Sequence, residues 1–310
     1  MATLQTHTRG WTNMMNCSVC DSLDIVKHGF NIVKDEKVQK YKCHACKKIF
    51  SHSNKLLNGH LPSEIVNLGI DLYLKGLSYR VIRQQIKEQF GITISHVSIY
   101  KWIQDNLTSI KTYIDTLKPK LSTVWQMDET FIQFKGRMIT TKLSRGNGYW
   151  CWICIDTGTR FILDMCLTLD RMLPSGIEFF ERIKSFTNQE PEVVATDGLL
   201  AYNNCLNTYY PNTTHLKLKL ISLKPNTSFI ERYNGTVKNR TKTMRCFDSF
   251  NPCQNTLTAF QIYYNFLRPH EALNGQTPAQ EAGIQTEFPK RWISLINQAR
   301  MHSLTTKHQL

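Results

Sequence analysis

The sequence predicts an α/β fold standing behind two small N-terminal units. Three observations predict it. Residues 121–285 alternate strand-like apolar runs with helical stretches, residues 61–118 read as three short helices, and residues 14–55 hold two C-x-x-C pairs among short strand-like pieces. A remainder, 286–310, carries the helical piece "RWISLINQARM". A chain of 310 residues is long enough for two or three such units. It carries 38 Lys and Arg against 24 Asp and Glu, a net +14 spread along its length. That balance favours nucleic acid or another anionic surface as partner. The longest apolar run, "YWCWICI", is far shorter than the ~18 residues of a membrane span. The opening "MATLQTHTRGWTN" lacks the apolar segment of a secretory signal, so a cytoplasmic location is expected.

The first unit is read from its cysteines. "CSVC" supplies Cys17 and Cys20, "CHAC" supplies Cys43 and Cys46, and 22 residues lie between the pairs. Each pair turns two sulfurs toward one point, and two pairs complete a tetrahedron around Zn²⁺. The intervening "IVKHGF" and "VQKYKC" read as hairpin strands, which makes this a zinc ribbon. Lys40, Lys42, Lys47 and Lys48 crowd the second pair, as suits phosphate contact. Cys151 and Cys154 lie inside an apolar strand that turns them to opposite faces, and are expected in the core.

The second unit reads as a helix-turn-helix. Pro62 and Gly76 bracket a first helix. Ser78 caps a second, with Ile82, Ile86 and Phe90 on one face and Gly91 as terminator. Ser95 caps a third. In a DNA-reading unit this third helix enters the major groove. His96, Ser98 and Lys101 would then face DNA, while Val97, Ile99 and Trp102 pack.

In the third unit, "STVWQMDETFI" is a strand with Asp128 and Glu129 at its middle. Burying a carboxylate in a strand is costly without a cation or donor. Adjacent residues point to opposite faces, so one of the two faces a shared site, and alternation does not say which. Two more strands follow, meeting at a turn with Asp156. A helix comes after Pro174, then an apolar strand ending at Asp197-Gly198. That pair is equally a turn signal and a strand-end site. Finally "NTSFIERYNGTVKNR" holds Glu231, the one acid among eight Lys or Arg between Cys205 and Arg245. Ser228 to Glu231 fits a capping box. Yet Lys238 returns to the same helical face as Glu231, and Lys242 and Arg245 continue that stripe. Ile230, Tyr233, Val237 and Met244 form the adjoining apolar stripe.

With these motifs in order, the chain resembles the DDE transposases of insertion sequences. These belong to the retroviral-integrase-like superfamily, whose fold is ribonuclease H-like. "WQMDET", "VVATDGLLAY" and "NTSFIERYNGTVKNR" carry the resemblance, which spans roughly residues 60–285. The later "YYNFLRPHEALNGQTPAQEAG" resembles the segment that closes such cores. The resemblance implies a mixed five-stranded sheet flanked by helices, behind the zinc ribbon and helix-turn-helix. It places Asp128, Asp197 and Glu231 on the family's three acidic positions, so choosing Asp128 over Glu129. It places Lys238 on the basic position seven after the glutamate. The 33 residues between Asp197 and Glu231 match the usual spacing closely, whereas "ITTKLSRGNG" is somewhat long.

The implied activity is Mg²⁺-dependent or Mn²⁺-dependent cleavage and joining of DNA at element ends by a nucleoid-associated enzyme. Two ions held by three carboxylates suit phosphodiester chemistry, because hard cations take oxygen ligands. Water attacks first, and the freed 3′-hydroxyl then attacks target DNA. No protein nucleophile is required. The resemblance also implies an oligomer assembled on paired ends. The rival readings are a DNA-binding regulator with an inert core and a simple nuclease of the same fold.

Overall fold

A computed structural model of the chain describes residues 17, 20, 22–33, 36–51, 63–135, 147–217, 228–243, 247–284 and 292–307. Three strands come first: β1 (Ile25–Val33), β2 (Glu36–Cys43) and β3 (Ile49–Ser51), antiparallel and in that order. Tyr41 and Phe50 stack across β2 and β3 at 6.0 Å. Little apolar surface is buried in this sheet, since Phe30, Ile32 and Ile49 stay more than half exposed.

Helices α1 (Ser63–Leu74), α2 (Tyr79–Phe90) and α3 (His96–Ile114) follow. The expected caps are present. Ser78 accepts from the Val81 N–H, Ser95 accepts from the Ser98 N–H, and Gly91 closes α2 in a left-handed conformation at φ 67°. Helix α3 runs on to Ile114 because Ile99, Ile103, Leu107, Ile110 and Ile114 keep one face buried for its whole length. Two expectations fail here. Phe90 and Val97 are 46% and 47% exposed, since each lies near a helix end, beyond the reach of the core. The face of α3 is covered by α9 (Trp292–Lys307), whose Trp292, Leu295, Ile296 and Ala299 are buried. The Tyr113 hydroxyl donates to Gln298 at 2.8 Å across this contact.

The main sheet contains β4 (Val124–Gln133), β5 (Gly148–Asp156), β6 (Ile162–Thr168), β7 (Val193–Thr196) and β8 (Thr214–Lys217), in the order β6-β5-β4-β7-β8. The first three pair antiparallel, while β7 and β8 add parallel. This is the mixed five-stranded sheet that the resemblance implies. Between β6 and β7 lies α4 (Leu173–Phe186), and between β7 and β8 lies α5 (Leu200–Tyr209). Both pack on one face, over Trp125, Met127, Trp152 and Cys154. On the other face, α6 (Ser228–Thr243) and α7 (Phe250–Ile262) cover Cys151, Ile153, Ile155 and Met165. Alternation along β5 thus puts Cys151 and Cys154 in opposite cores, as expected.

Helix α7 runs into a π-helical turn, Tyr263–Leu267. Its side-chain amides satisfy the outer edge of β6. Asn265 takes both the N–H and the C=O of Ile162, at 2.9 and 2.8 Å. Gln254 takes the Leu167 N–H and the Met165 C=O, each at 3.0 Å, and Gln261 reaches the carbonyls of Ile162 and Leu163. The short α8 (Pro278–Glu281) is closed by a Thr277/Gln280 capping box. Its end docks on the lead into β4, where the Lys120 N–H donates to Ala282 at 2.8 Å.

Candidate active site

The main site forms where the parallel ladder between β4 and β7 runs out. Its pairs are Val124↔Val193, Trp125↔Val194 and Gln126↔Ala195. Two residues further along each strand, Asp128 and Asp197 stand level. Asp197 lies just past β7, and its Oδ1 accepts from the Leu199 N–H at 2.9 Å, which folds the chain back into α5. Gly198 makes that turn at φ 91°, a conformation a side chain would strain. Thr196 braces it. The Thr196 hydroxyl accepts from the Gly198 N–H at 3.0 Å and lies 2.8 Å from His215 Nε2 on β8.

Asp128, Glu129 and Asp197 each bring one carboxylate oxygen within 4.8 Å of the others. Alternation holds for the direction of the two neighbours. Asp128 turns to the α6 face, where Asn234 Nδ2 donates to it at 2.6 Å. Glu129 turns to the α5 face, where the Tyr202 hydroxyl donates to it at 2.9 Å and Arg171 pairs with it at 2.7 Å. The expectation that only one of the pair reaches a shared site is nevertheless overturned. With β7 ended, no backbone separates the two faces here, and both carboxylates approach Asp197 around the open side of β4.

Electrostatics mark the crowding. Burial first, then the charges of Glu129, Asp197 and Glu231, push the Asp128 carboxyl up to about 7, against a backbone hydrogen bond at Glu129. Burial also raises Glu129, with Arg171 and Tyr202 holding it back.

Glu231 sits in the first turn of α6, exposed, and is not part of the three-oxygen cluster among the described residues. Its helix is nevertheless anchored over β4. The Ile230 N–H donates to Gln126 Oε1 at 3.2 Å, and Asn234, one turn after Glu231, holds Asp128. Ile230, Tyr233 and Val237 are buried as the apolar stripe requires. Lys238 and Lys242 are exposed along the other side of the helix, whereas Met244 and Arg245 lie outside the described residues. Arg240 stacks on the Tyr73 ring at 4.8 Å and donates to the Tyr73 carbonyl, tying α6 to α1. At the start of α3, His96 and Lys101 are exposed, and the Ser98 hydroxyl lies 3.0 Å from that of Ser95.

Arg171, Tyr202 and Asn234 were not singled out from the sequence as partners in a site, and Glu129 was weighed there only as the alternative to Asp128. Only Asn234 had a local signal, its spacing of one turn from Glu231.

Metal suits both clusters. Asp128 and Asp197 supply the hard oxygen donors a divalent cation takes, and the mutual repulsion of the three carboxylates leaves a place for positive charge. The sulfurs of Cys17, Cys20, Cys43 and Cys46 also lie within 4.8 Å of one another, at 3.6 Å for Cys17–Cys46 and 3.5 Å for Cys20–Cys43. A tetrahedral zinc–thiolate centre needs about 3.8 Å between sulfurs, so this set fits. Burial pushes the Cys43 thiol up, but hydrogen bonds from the Cys46 backbone and from Cys20 and Cys17 outweigh it and draw it down to about 7. Burial raises Cys20, and its contacts with Cys43, Cys46 and Cys17 add to that. No helix among the described residues is long and apolar enough to cross a membrane.

Residues 122–270 match a family described as the DDE domain. A transposase for an insertion sequence-like element, IS431mec, from Staphylococcus aureus is 24% identical over 236 residues, covering 71% of this chain and 93% of that protein. The transposase of insertion sequence element IS257 in transposon Tn4003, from the same species, matches to the same extent, with 24% identity, 71% of this chain and 93% of that one. Among solved structures, the HTLV-2 integrase catalytic core domain is similar at 19% identity with a TM-score of 0.38, over 54% of this chain and 98% of that one. A simian T-cell lymphotropic virus intasome chain is similar at 13% identity with a TM-score of 0.40, over 71% of this chain and 75% of that one.

Proposed function

We infer, from the match of residues 122–270 to a DDE domain family and from the likeness of the chain to insertion-sequence transposases, that it binds the ends of such an element and cleaves and joins DNA strands there. The observation that carries this reading is the level placement of Asp128 and Asp197 at the end of a parallel strand pair, with carboxylate oxygens within 4.8 Å. In this reading Asp128, Asp197 and Glu231 hold two Mg²⁺ or Mn²⁺ ions. When bound, such a pair activates the attacking oxygen and stabilises the leaving one.

The chain's own part is placement. Asp128 is fixed on β4 and Asp197 in the turn just past β7, and Glu231 is carried by a helix pinned to Gln126. Support for Glu231 comes from its charge, which helps raise Asp128. Asn234 orients Asp128 from one side. Lys238 and Lys242 on α6, together with Arg245, serve as phosphate contacts, and His96, Ser98 and Lys101 at the start of α3 face the element end. Cys17, Cys20, Cys43 and Cys46 hold a structural Zn²⁺.

The labour divides as 14–55 for the ribbon, 61–118 for the helix-turn-helix, 121–285 for catalysis and 286–310 as the C-terminal segment. The protein works as a homo-oligomer on paired ends, in the cytoplasm at the nucleoid.

The test incubates the protein with labelled end-containing DNA, a target plasmid and Mg²⁺ or Mn²⁺. Joined products are expected. Asp128→Asn should abolish joining and leave end binding intact, because it removes a ligand charge and no DNA-reading residue. Cleavage without joining would indicate a nuclease, and binding without either a regulator. Joining at the normal rate by Asp128→Asn would refute the site.

A further inference from the structure

The two aspartates stand beyond the backbone bonds that should space them. The last β4–β7 pair is Gln126↔Ala195, two residues short of Asp128 and Asp197. Side chains take over from there. Glu129, the neighbour of Asp128, has a side chain only 1% exposed. One of its oxygens accepts from Tyr202, the other from Arg171. Tyr202 is in the first turn of α5, the helix into which Asp197 folds back. Its ring is fully buried and meets Trp152 edge-on at 5.2 Å, and Trp152 is the residue paired with Glu129 on β5. Arg171 is held in turn over the Trp150 ring at 4.1 Å. A chain of fixed groups therefore runs from the residue after Asp128 to the helix after Asp197.

We propose that Glu129, clamped by Tyr202 and Arg171, is a positioning residue that sets the separation of Asp128 and Asp197 and hence their affinity for a divalent ion. The proposal rests on the metal-site reading above. Without an ion, two carboxylates this close repel, and with no β4–β7 backbone pairing at their level nothing in that ladder stops them from parting. A clamp that resists this holds the oxygens ready for the cation, and such supporting contacts typically change metal affinity 10–100-fold. The Arg171 charge lets Glu129 stay buried without an unpaired charge.

The experiment measures Mn²⁺ binding to the full-length protein by the electron paramagnetic resonance of free Mn²⁺, with the ribbon saturated with Zn²⁺. Tyr202→Phe keeps the packed ring and removes only the hydroxyl. It and Glu129→Gln are expected to bind Mn²⁺ about tenfold more weakly or worse. Tyr210→Phe is the control. It removes a hydroxyl that has no partner among the described residues, from a fully buried tyrosine of the same core, and should bind as the wild type does. Asp128→Asn separates the two claims. If it binds Mn²⁺ normally, the metal-site reading itself falls. If it loses binding while Tyr202→Phe keeps wild-type affinity, the clamp is refuted and the metal site stands. Equal weakening by Tyr210→Phe would mark general loosening of the core, which also refutes the clamp. Should Glu129→Gln fail to fold, Tyr202→Phe decides alone.

Discussion

His270 shows how the setting of one side chain fixes its chemistry. The residue lies after the π-helical turn, with its ring edge-on to Tyr264 at 4.5 Å and its Nε2 without a partner among the described residues. Burial first, and the charges of Arg268 and Arg160, lower its pKa to about 4, against a hydrogen bond to the Tyr264 backbone. The unfolded chain takes up this proton near pH 6.5 and the folded chain only near 4. Stability carried by the neutral ring is therefore complete above pH 6.5 and is lost as pH falls toward 4. Urea unfolding at pH 7, 5.5 and 4.5 should show this slope, and His270→Gln should flatten it. An unchanged slope in the variant would place the proton elsewhere. Glu129 was only partly legible in the sequence. Its partners Arg171 and Tyr202 lie 42 and 73 residues away, so no local pattern announces them.

At the level of elements, legibility followed local chemistry. Ser78, Gly91 and Ser95 are caps whose physics is complete within four residues, and each stands where expected. The strands ending at Asp156 and Thr196 were equally readable from apolar runs and turn residues. What was missed depended on distant packing. Strand β8 has four residues, three of them exposed, and exists because β7 offers it an edge. The exposure of Phe90 and Val97 likewise reflects where the helical core stops. In the proposed reading the ribbon is an element held by metal, since Phe30, Ile32 and Ile49 face solvent and give it little core. Chelation, or Cys43→Ser, should open residues 17–51 to protease while the melting of the 122–270 region is unchanged. Coincident loss of both would show that the ribbon is an integral part of the larger fold.

Across the whole molecule, helices α1, α2 and α3 are part of the same packed body as the sheet. One core joins α1, α2 and α3 to α7, α9 and Phe161, and Arg240 adds a link from α6 to Tyr73. The C-terminal helix had no evident purpose in the sequence, because its partner face on α3 is nearly 200 residues away. Leu295, fully buried in that contact, gives the measure. Leu295→Ala should lower global stability by about 2–5 kcal/mol in chemical denaturation. A change below about 0.5 kcal/mol would mean that α9 does not hold the helices together. A last consequence follows from the amides of α7. With Gln254, Gln261 and Asn265 bonded to peptide groups of Ile162, Leu163, Met165 and Leu167, those rungs on the outer side of β6 are already taken. A neighbouring copy that lengthened the sheet there into a ribbon shared between subunits would first have to displace these amides.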